Sequence, residues 1–418
     1  MKPTRDVLVL AAALATVSAF ALDLKSPFDL ETTKVLPKGV RNPRIKNVTM
    51  SVDSKYDSLG TALPLGDKLN KTVSWQDIVD AQPDQGKKDD VTGVLAANGI
   101  PFDGSPGRTT GQVTTLANVM VPTLAVGITD RWTAAVAVPV MNIQVNADTG
   151  FIKSDDGQKF VDAACKSDVT KCNEAKEKLN NAVNQKLSRL GYEPVSSKTV
   201  SGIGDVRLVN KYQLPLSERE SLGFKQDLSL PTGKAPNADR ALDVPTGEGH
   251  VNAGLTFIHD IKPFEYNEFN INTYAGYLYQ FQDRIDRRLP KSADDSLSSD
   301  KETLTRKAGD VISAGTGVSY EFLSTGFTLG GGYAFQYMAP TKFDGSKYDI
   351  NRYRLLDSMY PSQTIHSGVA TAGFSTVHFY HQKKFVYPFQ ANLAYSRPFA
   401  GRNVTTNSVI AAELVLFF

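Results

Sequence analysis

The sequence predicts an all-β fold: a transmembrane antiparallel up-and-down β-barrel of about twelve strands, with one helical insertion in an extracellular loop. Three observations carry this. The last residues, Ala412-Glu413-Leu414-Val415-Leu416-Phe417-Phe418, alternate and end on an aromatic. Segments of period two recur through the second half of the chain, and the connections between them alternate in length. One apolar face and one wet face per strand is the pattern of a barrel with lipid outside and a polar lumen inside.

At the start of the chain, Lys2 and Arg5 precede an apolar run from Val7 to Phe20 that closes on Ala19-Phe20-Ala21. This is the form of a secretory signal peptide over residues 1–21, with small residues at the cleavage site. Beyond it no stretch approaches the ~18 consecutive apolar residues a membrane helix needs. An exported chain of this kind is soluble or crosses a membrane as strands. A hydrophobic content of 41% is compatible with the second choice, because half of each strand faces the lumen.

Residues 22–112 form an N-terminal segment. Its one strand candidate lies near 47–57, where Val48, Met50 and Val52 alternate with Asn47, Thr49, Ser51 and Asp53. The remainder of the segment, rich in glycine and charge, reads as a plug in the lumen or as an outer loop. Within it, Trp75-Gln76-Asp77-Ile78-Val79 behind Ser74 has the form of a short capped helix.

From residue 113 to the end, eleven alternating segments fall near 113–128, 132–146, 202–214, 220–231, 249–260, 268–282, 311–322, 326–339, 364–378, 386–398 and 406–418. With the candidate at 47–57 they make twelve, an even number, which leaves both ends of the wall in the periplasm. The segment at 268–282 is the clearest. Phe269, Ile271, Ala275, Tyr277, Tyr279 and Phe281 share one face, and Asn270, Asn272, Gln280 and Gln282 share the other. Aromatics gather at segment ends, as in the girdles of barrels. Short links at 129–131, 215–220, 261–267, 323–325 and 381–385 take turns with long ones at about 147–201, 232–248, 283–310, 340–363 and 399–405. Glycines 315, 317 and 330–332 read as kinks in the wall, or as small residues relieving its curvature.

The longest outer loop carries the helical insertion, Asn173 to Leu190, with Ala175, Leu179, Ala182, Val183, Leu187 and Leu190 near one face for packing on the rim. Its lysines, Lys176, Lys178 and Lys186, form a solvated face or a lipopolysaccharide contact. Cys165 and Cys172, the two cysteines of the chain, lie in the same loop, and export to an oxidising compartment favours a disulfide between them. A continuous helix would hold them ~10.5 Å apart, so the intervening residues must turn if the bond forms.

Ser201-Gly202-Ile203-Gly204-Asp205-Val206, then Lys211-Tyr212, then Leu228-Ser229-Leu230-Pro231-Thr232-Gly233, resembles a hairpin of the MetA-pathway of phenol degradation family. Gly127 to Arg131 with Val138-Pro139 is similar to that family's preceding hairpin. The resemblance spans roughly 113–285. It implies an outer-membrane barrel, related in architecture to long-chain fatty-acid transporters, that takes up aromatic or other poorly water-soluble compounds. It brings no catalytic residue and no cofactor.

Charge placement marks the candidate site. Asp205, Arg207 and Lys211 share one face of a strand, and Lys225, Asp227 and Ser229 share the matching face of the next. Arg or Lys on the lipid side would cost about 2–4 kcal/mol each at the midplane, so these side chains point inward. Glu413 belongs to the same lumenal class. Such groups brace the wall or form a selectivity constriction.

His250, His259, His366, His378 and His381 sit in no nucleophile motif and have no metal-ligand spacing, so an enzyme is not expected. The formal charge of +2 and the absence of a basic, aromatic cluster give no sign of nucleic acid. The expected role is a bacterial outer-membrane channel or transporter for passive uptake of small, aromatic or hydrophobic molecules. Its partners are outer-membrane lipid, lipopolysaccharide and the solute. The alternative is a structural or adhesive barrel whose long loops bind a partner.

Overall fold

The computed structural model describes residues 30–67, 70, 72–80, 82, 84–167, 187–264, 268–292 and 297–418. The expected signal peptide, most of the helix at 173–190, and Cys172 lie outside the described residues.

Twelve staves form the wall. They are β1 (Arg41–Tyr56), β2 (Gly107–Thr129), β3 (Trp132–Ala137 continuing as Val140–Lys153), β4 (Lys198–Ile203 continuing as Val206–Pro215), β5 (Glu220–Leu230) and β6 (Asn252–Ile261). The second half is β7 (Phe269–Gln280), β8 (Val311–Phe322), β9 (Phe327–Met338), β10 (Gln363–Ser375), β11 (Phe389–Arg402) and β12 (Thr405–Leu416). Every stave pairs antiparallel with its sequence neighbours. β1 pairs with both β12 and β2, setting Lys46 beside Glu413 on one side and Val121 on the other. The sheet thereby closes with no edge, which is what a lipid environment demands of a β-structure.

Side-chain alternation follows the lipid. On β12, Ile410, Leu414 and Leu416 are exposed, whereas Val409, Ala411 and Val415 are buried toward the interior. On β7, Tyr277 and Tyr279 point out, while Asn272 and Gln280 are buried inside. The outer part of the β1–β4 sector reverses the pattern. There Asn47, Thr49, Ser51, Asn118, Asn142 and Gln144 face outward, and Val48, Met50, Val52, Val113 and Val145 face in. The reversal has two causes. β2 runs for 23 residues, about twice the 9–11 that cross a bilayer, so its outer half stands in water. The interior at that height is also filled by apolar loop residues. Outward polar groups there satisfy each other: Thr49 donates to Asn118 Oδ1 at 2.9 Å and Asn142 donates to Ser201 Oγ at 3.1 Å.

The connections differ from expectation in three places. The last outer link is a tight turn at Asn403, whose φ of 55° suits asparagine, so β11 runs on to Arg402. The link after β10 carries a short helix and extends to Pro388. β2 begins at Gly107, not near 113, because Gly107 to Gln112 pair with β3 as far as Lys153.

Besides the helical residues 187–189, at the end of the expected 173–190 helix, five helices lie among the described residues, and all are outside the wall: α1 (Trp75–Asp80), α2 (Gln85–Ala97), α3 (Asp155–Ser167), α4 (Ile350–Ser358) and α5 (Val377–His381). α1 is the helix expected behind Ser74. The Ser74 hydroxyl accepts from the Asp77 N–H, and Asp77 accepts in turn from the Ser74 N–H, a reciprocal cap. The other four were not expected. α2 buries only Leu95, so its pattern lacked an apolar stripe. α1, α2 and α3 pack Trp75, Leu95, Ile100 and Phe160 into a small core at the outer rim. A second outer unit is a three-stranded sheet of Asp283–Arg288, Lys301–Lys307 and Lys342–Asp344, on which α4 packs Tyr353 and Leu356.

Leu414→Arg places a charge in the lipid-facing band and should weaken folding by about 2–4 kcal/mol. Urea titration in lipid vesicles, followed by heat-modifiable gel migration, reads this directly. An unchanged midpoint would mean that Leu414 does not face lipid.

Candidate functional site

Chain enters the lumen from both ends. From the periplasmic side, residues 30–39 enter and cross it as an extended strand of chain. The Gly39 N–H donates to Gly127 O on β2 at 2.8 Å, and the Leu36 N–H to Thr133 Oγ1 on β3 at 2.7 Å. The Thr33 N–H and hydroxyl both donate to Asp260 Oδ2 on β6 at 2.9 Å, and Thr33 is 1% exposed. Asn272 on β7 donates to Glu31 O at 2.6 Å.

Glu31 is the anchor. Its carboxylate accepts a hydrogen bond from the Lys225 ammonium on β5 and lies 3.8 Å from Lys211 Nζ on β4. Lys211 also donates to Thr32 O at 2.8 Å, and Lys225 pairs with Asp227 at 3.6 Å. β4 and β5 pair with Lys211 directly opposite Lys225, so two like charges share one height of the wall. A carboxylate between them relieves the repulsion that the register builds in. Removing one partner of such a pair costs about 3–5 kcal/mol when fully buried. Here it costs less, because each side chain retains about a fifth of its exposure.

Glycine shapes the seat. A Cβ on Gly317 of β8 would stand 2.7 Å from Leu30 Cδ1, and one on Gly332 of β9 would stand 2.7 Å from Leu30 Cδ2. A Cβ on Gly223 would crowd Thr33, and one on Gly127 would meet the Pro37 carbonyl. Bare backbone at these inward positions lets the segment lie against the wall. Of the glycines read as kinks or as relief of curvature, Gly317 and Gly332 line this seat, and β9 keeps unbroken register with both neighbours through Gly330-Gly331-Gly332.

The remaining candidates fall elsewhere. Arg207 stays on the inward face of β4 opposite Ser229 and is exposed to the lumen. Glu413 forms a second cluster with Arg44 at 3.7 Å, Lys46 at 3.6 Å and Asn392 at 3.1 Å. Asp205 is engaged by the 231–251 loop. It sits at the break between the two parts of β4, where its carboxylate accepts from the Gly233 N–H at 2.9 Å and the Glu248 N–H at 2.8 Å. It pins both ends of the 231–251 loop. Cys165 lies on α3 in the outer cap. Glu31 and its seat were missed by sequence reasoning. The signal available was a set of glycines at inward positions of otherwise well-patterned strands.

The pinned loop is the outer stopper. It folds into the barrel mouth, where Ala241, Leu242 and Val244 are buried against Val48, Met50, Val52 and Val409. Lys198 donates to Leu242 O, and Arg288 donates to Ala238 O at 3.0 Å and Asp239 at 2.7 Å. Each fully buried Leu or Val contributes about 1.5–3 kcal/mol. The interior thus has an apolar outer chamber and a charged inner one.

Acidic groups brace the outer loops. Hydrogen bonds from Lys301 and Arg288 hold Asp239 below the ordinary carboxylate range, and Arg352 does the same for Asp300. Burial alone would raise Glu302, but the Tyr353 hydroxyl and the Ser346 and Lys347 N–H groups outweigh it and lower it.

No family model matches the chain, and no curated protein does. Among solved structures, it is similar to the COG4313 outer membrane channel from Pseudomonas putida F1, with 15% identity over 94% of this chain and 100% of that one, at a TM-score of 0.53. It also aligns with the Pseudomonas putida toluene transporter TodX, at 10% identity over 96% and 97% of the two chains and a TM-score of 0.36. The translocator domain of the autotransporter NalP from Neisseria meningitidis aligns at 9% identity over 92% and 91%, also at 0.36. The first likeness agrees with the fold read above, a barrel of the bacterial outer-membrane kind.

Two outcomes follow. Gly317→Val should push Leu30 out of its seat, because a Cβ there meets the side chains of Leu30 and Asn272 first; hydrogen exchange at the Thr33 amide should rise at least ~10-fold while barrel migration on gels stays unchanged. Unaltered exchange would contradict the seat. The braced carboxylates carry depressed folded-state values, so their stabilisation is present above the ordinary carboxylate range, about 4, and is lost as pH falls through their lowered values. Pepsin cleavage within 283–358 should therefore increase as pH drops below about 4, with the wall intact. Cleavage that stays constant would count against this bracing.

Proposed function

We propose that the protein is an outer-membrane channel for passive uptake of small, aromatic or hydrophobic molecules, held closed by residues 30–38 until that segment leaves. The observation that carries this is a closed twelve-staved wall whose inner lumen is crossed by a short tethered peptide. The peptide makes polar contacts to the wall but contributes nothing to the wall's own ladders. It can depart without breaking a stave. A purely structural barrel needs no such insert, and a glycine-lined seat has no role in one.

The apolar outer chamber suits a poorly water-soluble solute. Arg207, Lys211, Lys225, Asp227 and Glu413 then set which solute passes the inner half, a constriction of fixed charges. The residues that resemble the MetA-pathway family converge in space, since Asp205 binds Gly233 and the Thr232 hydroxyl donates to Gly204 O at 2.8 Å. This supports membership of that family, and through it the aromatic substrate class.

Three accessory readings belong to the same proposal. Residues 1–21 act as a cleaved signal peptide. Cys165 pairs with Cys172, the pairing that export to an oxidising compartment favours. Outer-leaflet lipopolysaccharide surrounds the protruding polar face of β1–β4.

Proteoliposome swelling tests the reading. Vesicles with the mature chain should swell slowly in a small aromatic solute, and vesicles with a chain lacking residues 22–38 should swell at least ~10-fold faster. Arg207→Ala in the truncated chain should change the ranking of charged against neutral solutes. Equal, negligible swelling from both chains would overturn the channel reading.

A further inference from the structure

The link between β10 and β11 is unlike the other periplasmic turns. It runs from Thr376 to Pro388 and carries α5. No residue of α5 is fully buried: Val377 and Phe379 are half-buried, with Phe379 beside Gly326 of the β8–β9 turn, and His378, Tyr380 and His381 are exposed. Its base is nonetheless firmly built. The Thr376 hydroxyl donates to Tyr387 O at 2.8 Å, and the Phe389 N–H donates to Thr376 Oγ1 at 2.9 Å. Thr376 itself is fully buried. A rigid base thus presents an exposed tip over residues 380–387.

The tip is apolar and basic at once. Val386 is 75% exposed and Tyr387 67%, with Tyr380 and Phe385 also exposed. Lys383 and Lys384 stand beside them at the turn, and the Lys383 φ of 61° sets its sharp reversal. The chain has no Asp or Glu between Asp357 and Glu413, so nothing in the sequence neighbourhood neutralises these lysines. Exposed aromatics next to uncompensated lysines at the end of a membrane band suit the boundary where phosphates meet acyl chains.

Continuity with the lipid-facing wall fixes the occupant. Phe327, 54% exposed at the foot of β9, packs on Phe374 with centroids 5.1 Å apart. Phe374 stands 6.0 Å from Phe389, and Phe389 stands 5.9 Å from Phe385 in the link. One aromatic ladder therefore leads from the wall's hydrocarbon face out to the tip.

We propose that the 376–388 link is a lipid anchor: its tip inserts at the inner-leaflet surface of the outer membrane, with Val386 and Tyr387 at the acyl boundary and Lys383 and Lys384 on phospholipid phosphates. The anchor sits close to the point where the lumenal segment leaves the wall. The Phe417 N–H donates to Pro388 O at 3.2 Å, and Arg41 and Phe418 exchange backbone hydrogen bonds at 2.9 and 3.0 Å. It therefore fixes the height in the bilayer of the strands that frame that exit. This inference does not depend on the channel reading, since it concerns the outside of the wall.

The test is a nitroxide at Val386→Cys in the full mature chain, in bilayers of phosphatidylethanolamine and phosphatidylglycerol, with the unsubstituted chain treated identically to report reaction at Cys165 or Cys172. The reference site is Glu218→Cys, on the exposed turn between β4 and β5. The anchor predicts oxygen access and at least ~3-fold lower nickel-chelate access at 386 than at 218. In the K383E/K384E background, nickel access at 386 should rise to the level at 218, with heat-modifiable migration confirming a folded barrel. Equal nickel access at the two sites in the parent chain would overturn the anchor and leave the tip as a surface for a periplasmic protein. Exclusion of nickel that survives the charge reversal would overturn the assignment to phosphates.

Discussion

Backbone hydrogen bonding in a solvent without water is the constraint on which the rest of this structure depends. A strand edge in hydrocarbon leaves its N–H and C=O groups without partners, each at a cost of several kcal/mol. The β1–β12 and β1–β2 pairings remove both edges. Once the wall is closed, it cannot also be the moving part: parting one seam would strand a whole ladder. The elements that vary with function are displaced to the lumen and to the outer rim.

Magnitudes favour that division. Departure of residues 30–38 breaks an ion pair worth less than the 3–5 kcal/mol of a fully buried one, together with several hydrogen bonds at about 0.5–1.5 kcal/mol net each. These groups pass from a polar lumen to water, where they find new partners. Opening the wall offers no such replacement. The Lys211–Lys225 register makes the inner lumen a site that wants an anion, and Glu31 supplies it from the chain's own N-terminal side. The outer stopper rests on a different force, the burial of Ala241, Leu242 and Val244, with Asp205 fastening the loop's ends. Charge holds the inner segment and apolar packing the outer loop, so salt and temperature act on them differently.

The wall was legible in the sequence because lipid and lumen impose period two over ten or more residues, as β7 and β12 show. All twelve staves were visible, including β1, whose strand pattern stands apart from the other eleven. Boundaries were less legible where strands leave the bilayer. β2 and β3 continue past it with polar residues outward, and the amphipathic signal inverts there instead of stopping. Helices α2 and α5 were hidden because they bury little, so no stripe marks them. Glu31 was invisible for a different reason: one acidic residue in an aperiodic stretch says nothing until the fold sets two lysines opposite it. The charged hairpin of β4 and β5 was readable as inward-facing from lipid cost alone, but the hold of Asp205 on the 231–251 loop was not, since it depends on where the fold brings Gly233 and Glu248.

The most direct test of the account is planar-bilayer conductance of the full mature chain, of Glu31→Lys, and of the double variant Glu31→Lys with Lys225→Glu. The account predicts a quiet full chain, steady steps from Glu31→Lys as three ammoniums repel the segment from its seat, and a return to quiet in the double variant, where the reversed pair re-forms. Identical traces from all three would contradict the claim that an ion pair between Glu31 and the wall holds the lumen closed.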